Sequence, residues 1–195
     1  IEAVVKSEGK AKYALGSVLG HVLLHQTING NEAILQMEQA GDYPDIIVGC
    51  TGGGSNLSGL MFPFLGQQLR GGQKIDIIGC EPLSCPSFTK GKYAYDHGDM
   101  ARMTPLIKMH TLGSDFLPPA NHSGGLRYHG MSYHLSHLYD LGLMRAKAYG
   151  QKNCFEAGVI FGKQEGIIPA PEANHAVKGA IDVALECKEK GESKT

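Results

Sequence analysis

The sequence predicts an α/β fold, a parallel β-sheet with flanking helices. Three observations carry that expectation. Asp45 to Cys50 (DIIVGC) and Lys74 to Cys80 (KIDIIGC) are short apolar, isoleucine-rich runs, too short for stable helices and suited to buried strands. Between them, Asn56 to Leu69 (NLSGLMFPFLGQQL) reads as a helix, weakened by Pro63. A glycine-rich loop, Thr51 to Ser55, joins the first strand to that helix. Strand, loop, helix, turn and strand in this order make a βαβ unit, which favours a right-handed crossover.

The remaining elements follow along the chain. Ile1 to Lys12 has mixed helical character. Gly16 to Glu38 reads as helical, with Leu19, Val22, Leu23, Thr27 and Ile28 on an apolar face. Ala33, Ile34, Leu35 and Met37 continue that face after a break at Asn29-Gly30. Thr89 to Tyr128, interrupted by Pro105, Gly113, Pro118, Pro119 and Gly124-Gly125, is expected to be long connecting structure. Tyr133 to Leu141 is expected to be a short helix and Met144 to Tyr149 a strand. Asn153 to Lys163 and Pro171 to Glu189 are expected to be helices, the second with Ala173, Val177, Ala180, Ile181 and Ala184 on one face.

Composition narrows the function classes. The 195 residues carry 18 basic and 19 acidic side chains, well mixed, so no basic stripe invites a nucleic acid. The apolar runs are too short to span a bilayer and no signal-peptide pattern opens the chain, so the cytoplasm is the expected compartment. Cys50, Cys80, Cys85, Cys154 and Cys187 form no C-x-x-C pair and are expected to be small buried thiols. The histidines and cysteines show no zinc-ligand spacing. His21 and His25 are expected to be packed rather than metal-bound, and Glu172 and His175 to pair on a helix surface. His134 and His137 have no evident third ligand, and His110 and Asp115 belong to no motif.

The strongest local signal is Cys50-Thr51-Gly52-Gly53-Gly54-Ser55-Asn56. Consecutive glycines let the backbone turn tightly and bring amide N–H groups close to a ligand. The helix start that follows offers the positive end of its dipole to a phosphate. Ser55 can donate a hydroxyl, and Asn56 can cap the helix or reach a ligand. No Walker lysine follows, and the spacing is not that of a dinucleotide fingerprint. By itself the loop is either a phosphate cradle or a tight strand-to-helix turn with Ser55 or Asn56 as cap.

Four stretches, in order, add to it: Leu15 to Thr27 (LGSVLGHVLLHQT), Pro44-Asp45 with the strand into Gly52-Gly53-Gly54-Ser55-Asn56, His122 to Gly130 (HSGGLRYHG), and Glu165 to Ala176 (EGIIPAPEANHA). Together they resemble the tryptophan synthase β family, and within it the second, β-like subfamily. The resemblance covers nearly the whole chain. It implies a type II pyridoxal-phosphate fold, with residues 1–195 as a partial, cofactor-phosphate-binding, C-terminal large domain of a longer two-domain enzyme. It implies pyridoxal 5′-phosphate as cofactor, its phosphate on Gly52, Gly53, Gly54, Ser55 and Asn56, and Glu165 beside its pyridine ring. The implied reaction is a β-replacement making L-tryptophan from serine and indole. The implied assembly is a homodimer, with association to an α-type subunit left open.

The family's Schiff-base lysine lies upstream of the glycine loop. Only Lys6, Lys10 and Lys12 precede the loop here, none in a matching motif, so these residues alone are expected not to catalyse. Where ordinary β chains carry an acid, this chain resembles the β-like subfamily in carrying Arg127. A guanidinium suits a carboxylate or phosphate, which makes Arg127 a candidate substrate residue and keeps both serine and phosphoserine open; a structural ion pair is its other reading. Two further alternatives stand beside the enzyme: a non-catalytic phosphate-ligand-binding module, and another doubly wound enzyme that binds a phosphorylated metabolite.

Overall fold

A computed structural model describes all 195 residues. The βαβ unit forms as the apolar runs predict. Strand β1 (Ile46–Cys50) leads through the glycine loop into helix α3 (Ser55–Leu69), which returns to strand β2 (Asp76–Pro82). The two strands pair in parallel, Ile46 opposite Asp76 and Cys50 opposite Cys80. A third parallel strand, β5 (Arg145–Tyr149), pairs with the other edge of β2, giving the order β1-β2-β5. β2 is central and buried on both faces, which is why its sequence is a continuous rather than an alternating apolar run.

Side chains alternate across this sheet. Ile47, Ile75 and Ile77 face a core completed by Leu57, Met61, Phe64 and Leu65 of α3 and by Met131 and Leu135. Ile78 and Cys80 face the opposite layer, with Cys154 of helix α5 (Gln151–Glu165) and Val183 of helix α6 (Ala173–Lys190). Cys50, Cys80, Cys85 and Cys154 are buried free thiols and Cys187 is half-buried. Burial pushes the thiols of Cys50 up to about 11 and Cys80 up to about 12, so they remain protonated. No helix is long and apolar enough to cross a membrane.

The first long helix departs from expectation. α2 spans Gly20–Ala40 and runs through Gly30 without a break. Gly30 is there for packing. A Cβ on it would meet the carbonyl oxygens of Leu60 and, at 2.7 Å, Gly59, and the Pro63 ring at 2.8 Å. Gly59 answers it, since its own Cβ would lie 2.6 Å from Gln26. Two glycines thus let α2 and α3 cross backbone to backbone, beside the carbonyl that Pro63 leaves without its helical N–H partner. The buried stripe of α2 runs through Leu23 and Gly30, while Ile28, expected on that face, is 60% exposed. His21 and His25 are exposed and meet only edge-to-face, which corrects the expectation that they pack inside.

A second departure lies between Thr89 and Tyr128. Strands β3 (Lys92–His97) and β4 (Leu106–Thr111) form an antiparallel hairpin there. Helix α4 (Tyr133–Asp140) follows, and a single-turn helix, α1 (Glu2–Lys6), lies at the start of the chain. α4 is capped by Ser132, whose Oγ accepts the Leu135 N–H. Ser132→Ala is expected to cost about 1 kcal/mol in urea unfolding, and an unchanged midpoint would show the cap to be idle.

Glu81, at the end of β2, is wholly buried. Its carboxylate accepts from the N–H groups of Phe88 and Thr89 at 2.9 and 2.8 Å and from the Thr89 hydroxyl at 2.6 Å. Burial outweighs those bonds and raises its pKa above the ordinary 4.5. A raised native pKa contributes stability that is present below the unfolded value and lost as pH climbs through the native one. Glu81→Gln removes this titration. The stability of the variant relative to the parent is therefore expected to rise with pH from about 4.5 and then level off. A pH-independent difference in chemical denaturation would contradict this.

Candidate functional site

The glycine loop leaves the carboxyl end of β1, where open α/β sheets bind ligands. Thr51 continues the β1–β2 ladder, its N–H donating to the Cys80 carbonyl at 2.8 Å. Gly54 is the N-cap of α3, with φ 102°, a left-handed conformation that favours glycine. No side chain caps this helix. The first intrahelical bond of the turn is donated by Ser58 to the Gly54 carbonyl, so the N–H groups of Ser55, Asn56 and Leu57 are left without intrahelical partners.

Ser55 and Asn56 line a pocket of about 140 Å³ together with Gly52 to Gly54, Ser17, Cys50, Gly125, Leu126 and Glu172. Each glycine is closely covered. A Cβ on Gly52 would lie 3.1 Å from Leu126, one on Gly53 would meet Ser17 and lie 3.0 Å from the Val18 nitrogen, and one on Gly54 would meet Leu135 and lie 2.9 Å from Met131. The Gly53 carbonyl also accepts the Ser132 N–H at 3.0 Å, which ties the loop to the start of α4. Gln26 of α2 donates to the Ser55 hydroxyl at 3.4 Å, and Cys50 donates to Asn56 Oδ1 at 3.5 Å.

The structure therefore brings Gly52, Gly53, Gly54, Ser55 and Asn56 together around one small cavity. Glu165 lies elsewhere, exposed at the end of α5 and outside that pocket. The carboxylate that does reach it is Glu172, seven residues further along. Its Oε1 accepts the Gly125 N–H at 2.6 Å. The expected surface pairing of Glu172 with His175 does not occur. Glu172 sits at the start of α6 facing the loop, and His175 is 1% exposed with Nδ1 against the carbonyls of Pro171 and Glu172. The hint in sequence was its place inside the EGIIPAPE run, at a helix start rather than in a helix middle.

Arg127 is also outside the pocket. Nη1 donates to the carbonyls of Pro119 and Asn121, both at 3.0 Å, and Nη2 to that of Pro118 at 3.2 Å. It clamps a turn and pairs with no carboxylate, so the ion-pair alternative does not hold. His110 is buried in an aromatic box, stacked on Tyr93 with ring centroids 5.0 Å apart and flanked by Phe88 and Tyr139, and Asp115 is exposed. No group of three or more His, Cys, Asp or Glu side chains comes together to hold a metal ion.

A second cavity backs onto the loop. It has about 160 Å³ and is mostly apolar, with Leu15, Val18, Ile107, Met109, Tyr128 and Met131 among its walls. Val18 and Met131 are the same side chains that press on Gly53 and Gly54. A larger hollow of about 580 Å³ lies at the opposite ends of the strands, with Asp45, Lys74, Asp76 and Arg145 in its lining.

The family model described as pyridoxal-phosphate dependent enzyme matches residues 21–194. The chain is 56% identical over 191 residues to the tryptophan synthase beta chain 2 of Aquifex aeolicus, covering 96% of this chain and 44% of that one. It is 56% identical over 183 residues to the protein of the same name from Methanosarcina mazei, covering 94% and 41%. The Thermotoga maritima protein is 53% identical, covering 98% and 45%. The chain thus spans less than half the length of these relatives. Among solved structures, the T.th. threonine deaminase superposes with a TM-score of 0.68 at 13% identity, covering 95% of this chain and 59% of that one, a likeness of fold. The chain belongs to the pyridoxal-phosphate dependent enzyme family.

Proposed function

We propose that these residues are the phosphate-holding part of a pyridoxal-phosphate-dependent lyase that makes L-tryptophan by β-replacement from serine, or phosphoserine, and indole. The observation that carries this reading is the uncapped start of α3, opening with three glycines onto a small pocket. A phosphate there takes the free N–H groups of Ser55 and Asn56 and the Ser55 hydroxyl, at the positive end of the helix dipole. Gly52, Gly53 and Gly54 let Leu126, Ser17, Val18, Leu135 and Met131 close over the loop, which a side chain at any of the three would push away. Glu172 faces the same space from the other wall, held by the Gly125 N–H. We assign to it, rather than to the distant Glu165, the carboxylate beside the cofactor ring. When bound, the cofactor supplies the electron sink, and the protein supplies binding and orientation.

The apolar cavity behind Val18 and Met131 suits a flat apolar acceptor such as indole. Arg127 could read a substrate anion only by giving up its carbonyls, so its part is to hold the turn at Pro118 to Asn121. The relatives' greater length supports a larger two-domain enzyme with these residues as part of its cofactor domain. A cytoplasmic homodimer is the proposed working form.

The test is a chimera in which these residues replace the matching segment of the Aquifex aeolicus protein. It is expected to bind pyridoxal phosphate and form tryptophan from serine and indole. A folded, cofactor-loaded chimera that forms none would overturn the proposed activity. Retention of phosphorylated nucleotides in place of pyridoxal phosphate would favour a different doubly wound enzyme.

A further inference from the structure

We infer that Gln26 of α2 is a positioning residue for the pocket: its side-chain amide holds the Ser55 hydroxyl by the oxygen, so that the hydroxyl proton is the part left for a ligand. The inference rests on the reading of that pocket given above. Ser55 opens α3 and lines the pocket. Gln26 Nε2 donates to Ser55 Oγ at 3.4 Å, and Ser55 is only 8% exposed, so little water competes for that oxygen. A serine hydroxyl has one proton and two lone pairs, and an amide NH₂ can only donate. Engaging a lone pair from behind in this way turns the proton toward the other side, where the pocket is.

The helix crossing explains why Gln26 stands there. Gln26 and Gly30 are one turn apart on α2, as Ser55 and Gly59 are on α3. Gly30 lies against the carbonyls of Gly59 and Leu60, and a Cβ on Gly59 would lie 2.6 Å from both the Cβ and the carbonyl oxygen of Gln26. The missing side chain at Gly59 thus brings Gln26 against the first turn of α3, beside Ser55. The backbone of the loop already favours a donor-lined pocket. The carbonyl of Gly53 accepts the Ser132 N–H, that of Gly54 the Ser58 N–H and that of Ser55 the Ser58 hydroxyl, each at 3.0 Å. Three acceptors are therefore engaged, while the N–H groups of Ser55 and Asn56 stay without helical partners. The Ser55 hydroxyl could turn either end to a ligand, and Gln26 decides which. A donor oriented in advance loses less on binding than one that must be ordered by the ligand.

The experiment is a titration of the 195-residue chain with inorganic phosphate and with pyridoxal 5′-phosphate, followed by phosphorus NMR, alongside melting of the ligand-free chain. Gln26→Met, similar in length and without a donor, is expected to weaken both ligands about fivefold, the worth of an ordinary hydrogen bond. In a Ser55→Ala background the same change should cost nothing, because no hydroxyl is left to orient. Gln26→Glu should weaken both ligands about a hundredfold at neutral pH, since an ionised carboxylate accepts the Ser55 proton and adds a like charge. That loss, taken relative to the parent at each pH, should shrink as pH falls through about 4.3, where the protonated acid can donate as the amide does. Gln26→Glu keeps the shape of the parent residue, so it carries the test even where Gln26→Met lowers the ligand-free melt. Equal loss in Gln26→Met with and without the Ser55 hydroxyl would make Gln26 a structural residue and overturn the inference. Unchanged affinity in Gln26→Met and Gln26→Glu, with binding abolished by Gly53→Asp, would overturn the role of Gln26 and leave the pocket standing. Unchanged affinity in all three would overturn the pocket as well.

Discussion

Replacing Gly30 by valine is expected to destabilise the fold by roughly 3 kcal/mol, at the upper end of overpacking costs. The size follows from what the new atoms would meet. Gly30 faces the carbonyl oxygens of Leu60 and Gly59 and the ring of Pro63, none of which is the end of a flexible side chain. Relief requires moving α2 off α3, and α3 carries Leu57, Met61, Phe64 and Leu65 of the main core. Gly30→Ala separates the two opposing terms. Alanine gains about 1 kcal/mol of helix propensity over glycine, but its Cβ alone already creates the overlap, so it too should destabilise, by less than valine. With a loss of about 2–4 °C per kcal/mol for a chain of this size, the valine variant should melt roughly 6–12 °C lower. Ile28→Ala, on the exposed side of the same helix, should stay within about 0.5 kcal/mol. A stabilised Gly30→Ala would mean that the two helices do not cross at this point.

The same glycine shows where the sequence is legible and where it is not. Asp45 to Cys50 and Lys74 to Cys80 announce buried parallel strands because burial on both faces needs nothing but apolar residues, and that demand is local. Asn29-Gly30 reads locally as a break, but its reason is Gly59 on another helix, which no window around Gly30 contains. β3 and β4 are hidden for a related reason. The pair is short and half-exposed, so tyrosines and charges mix in Lys92–His97 without a clear period, and the prolines and glycines around them suggest connection. In the site, Gly54 is legible because its left-handed backbone is demanded within the segment itself, whereas Gly52 and Gly53 are glycine because Leu126, Ser17 and Val18 close over them. Glu172 and Ser17 are not, since each reaches the pocket from a distant element. Arg127 shows the converse limit. Its chemistry suits an anion, but the nearest acceptors are the carbonyls of Pro118, Pro119 and Asn121, and only the folded turn places them there.

Gly53→Asp should abolish phosphate binding, and its comparison with Gly53→Asn should show why. Both side chains add a Cβ that runs into Ser17 and approaches Val18, so both perturb the turn that covers the loop. Only aspartate adds a negative charge next to the start of α3. Two like charges about 4 Å apart repel by about 4 kcal/mol at an effective dielectric constant of about 20, which corresponds to roughly a thousandfold in affinity. Asparagine has nearly the same shape and no charge, so its loss reports the steric part alone and should be smaller by up to about three orders of magnitude. The excess loss in the aspartate variant should shrink as salt is raised, because exposed parts of the pocket are screened, whereas the steric loss should not. Equal loss in both variants, independent of salt, would mean that the loop is a tight turn whose disruption misfolds its neighbourhood. A large, salt-sensitive gap between them would identify the start of α3 as an anion site, because only a ligand carrying negative charge at that place distinguishes the two side chains.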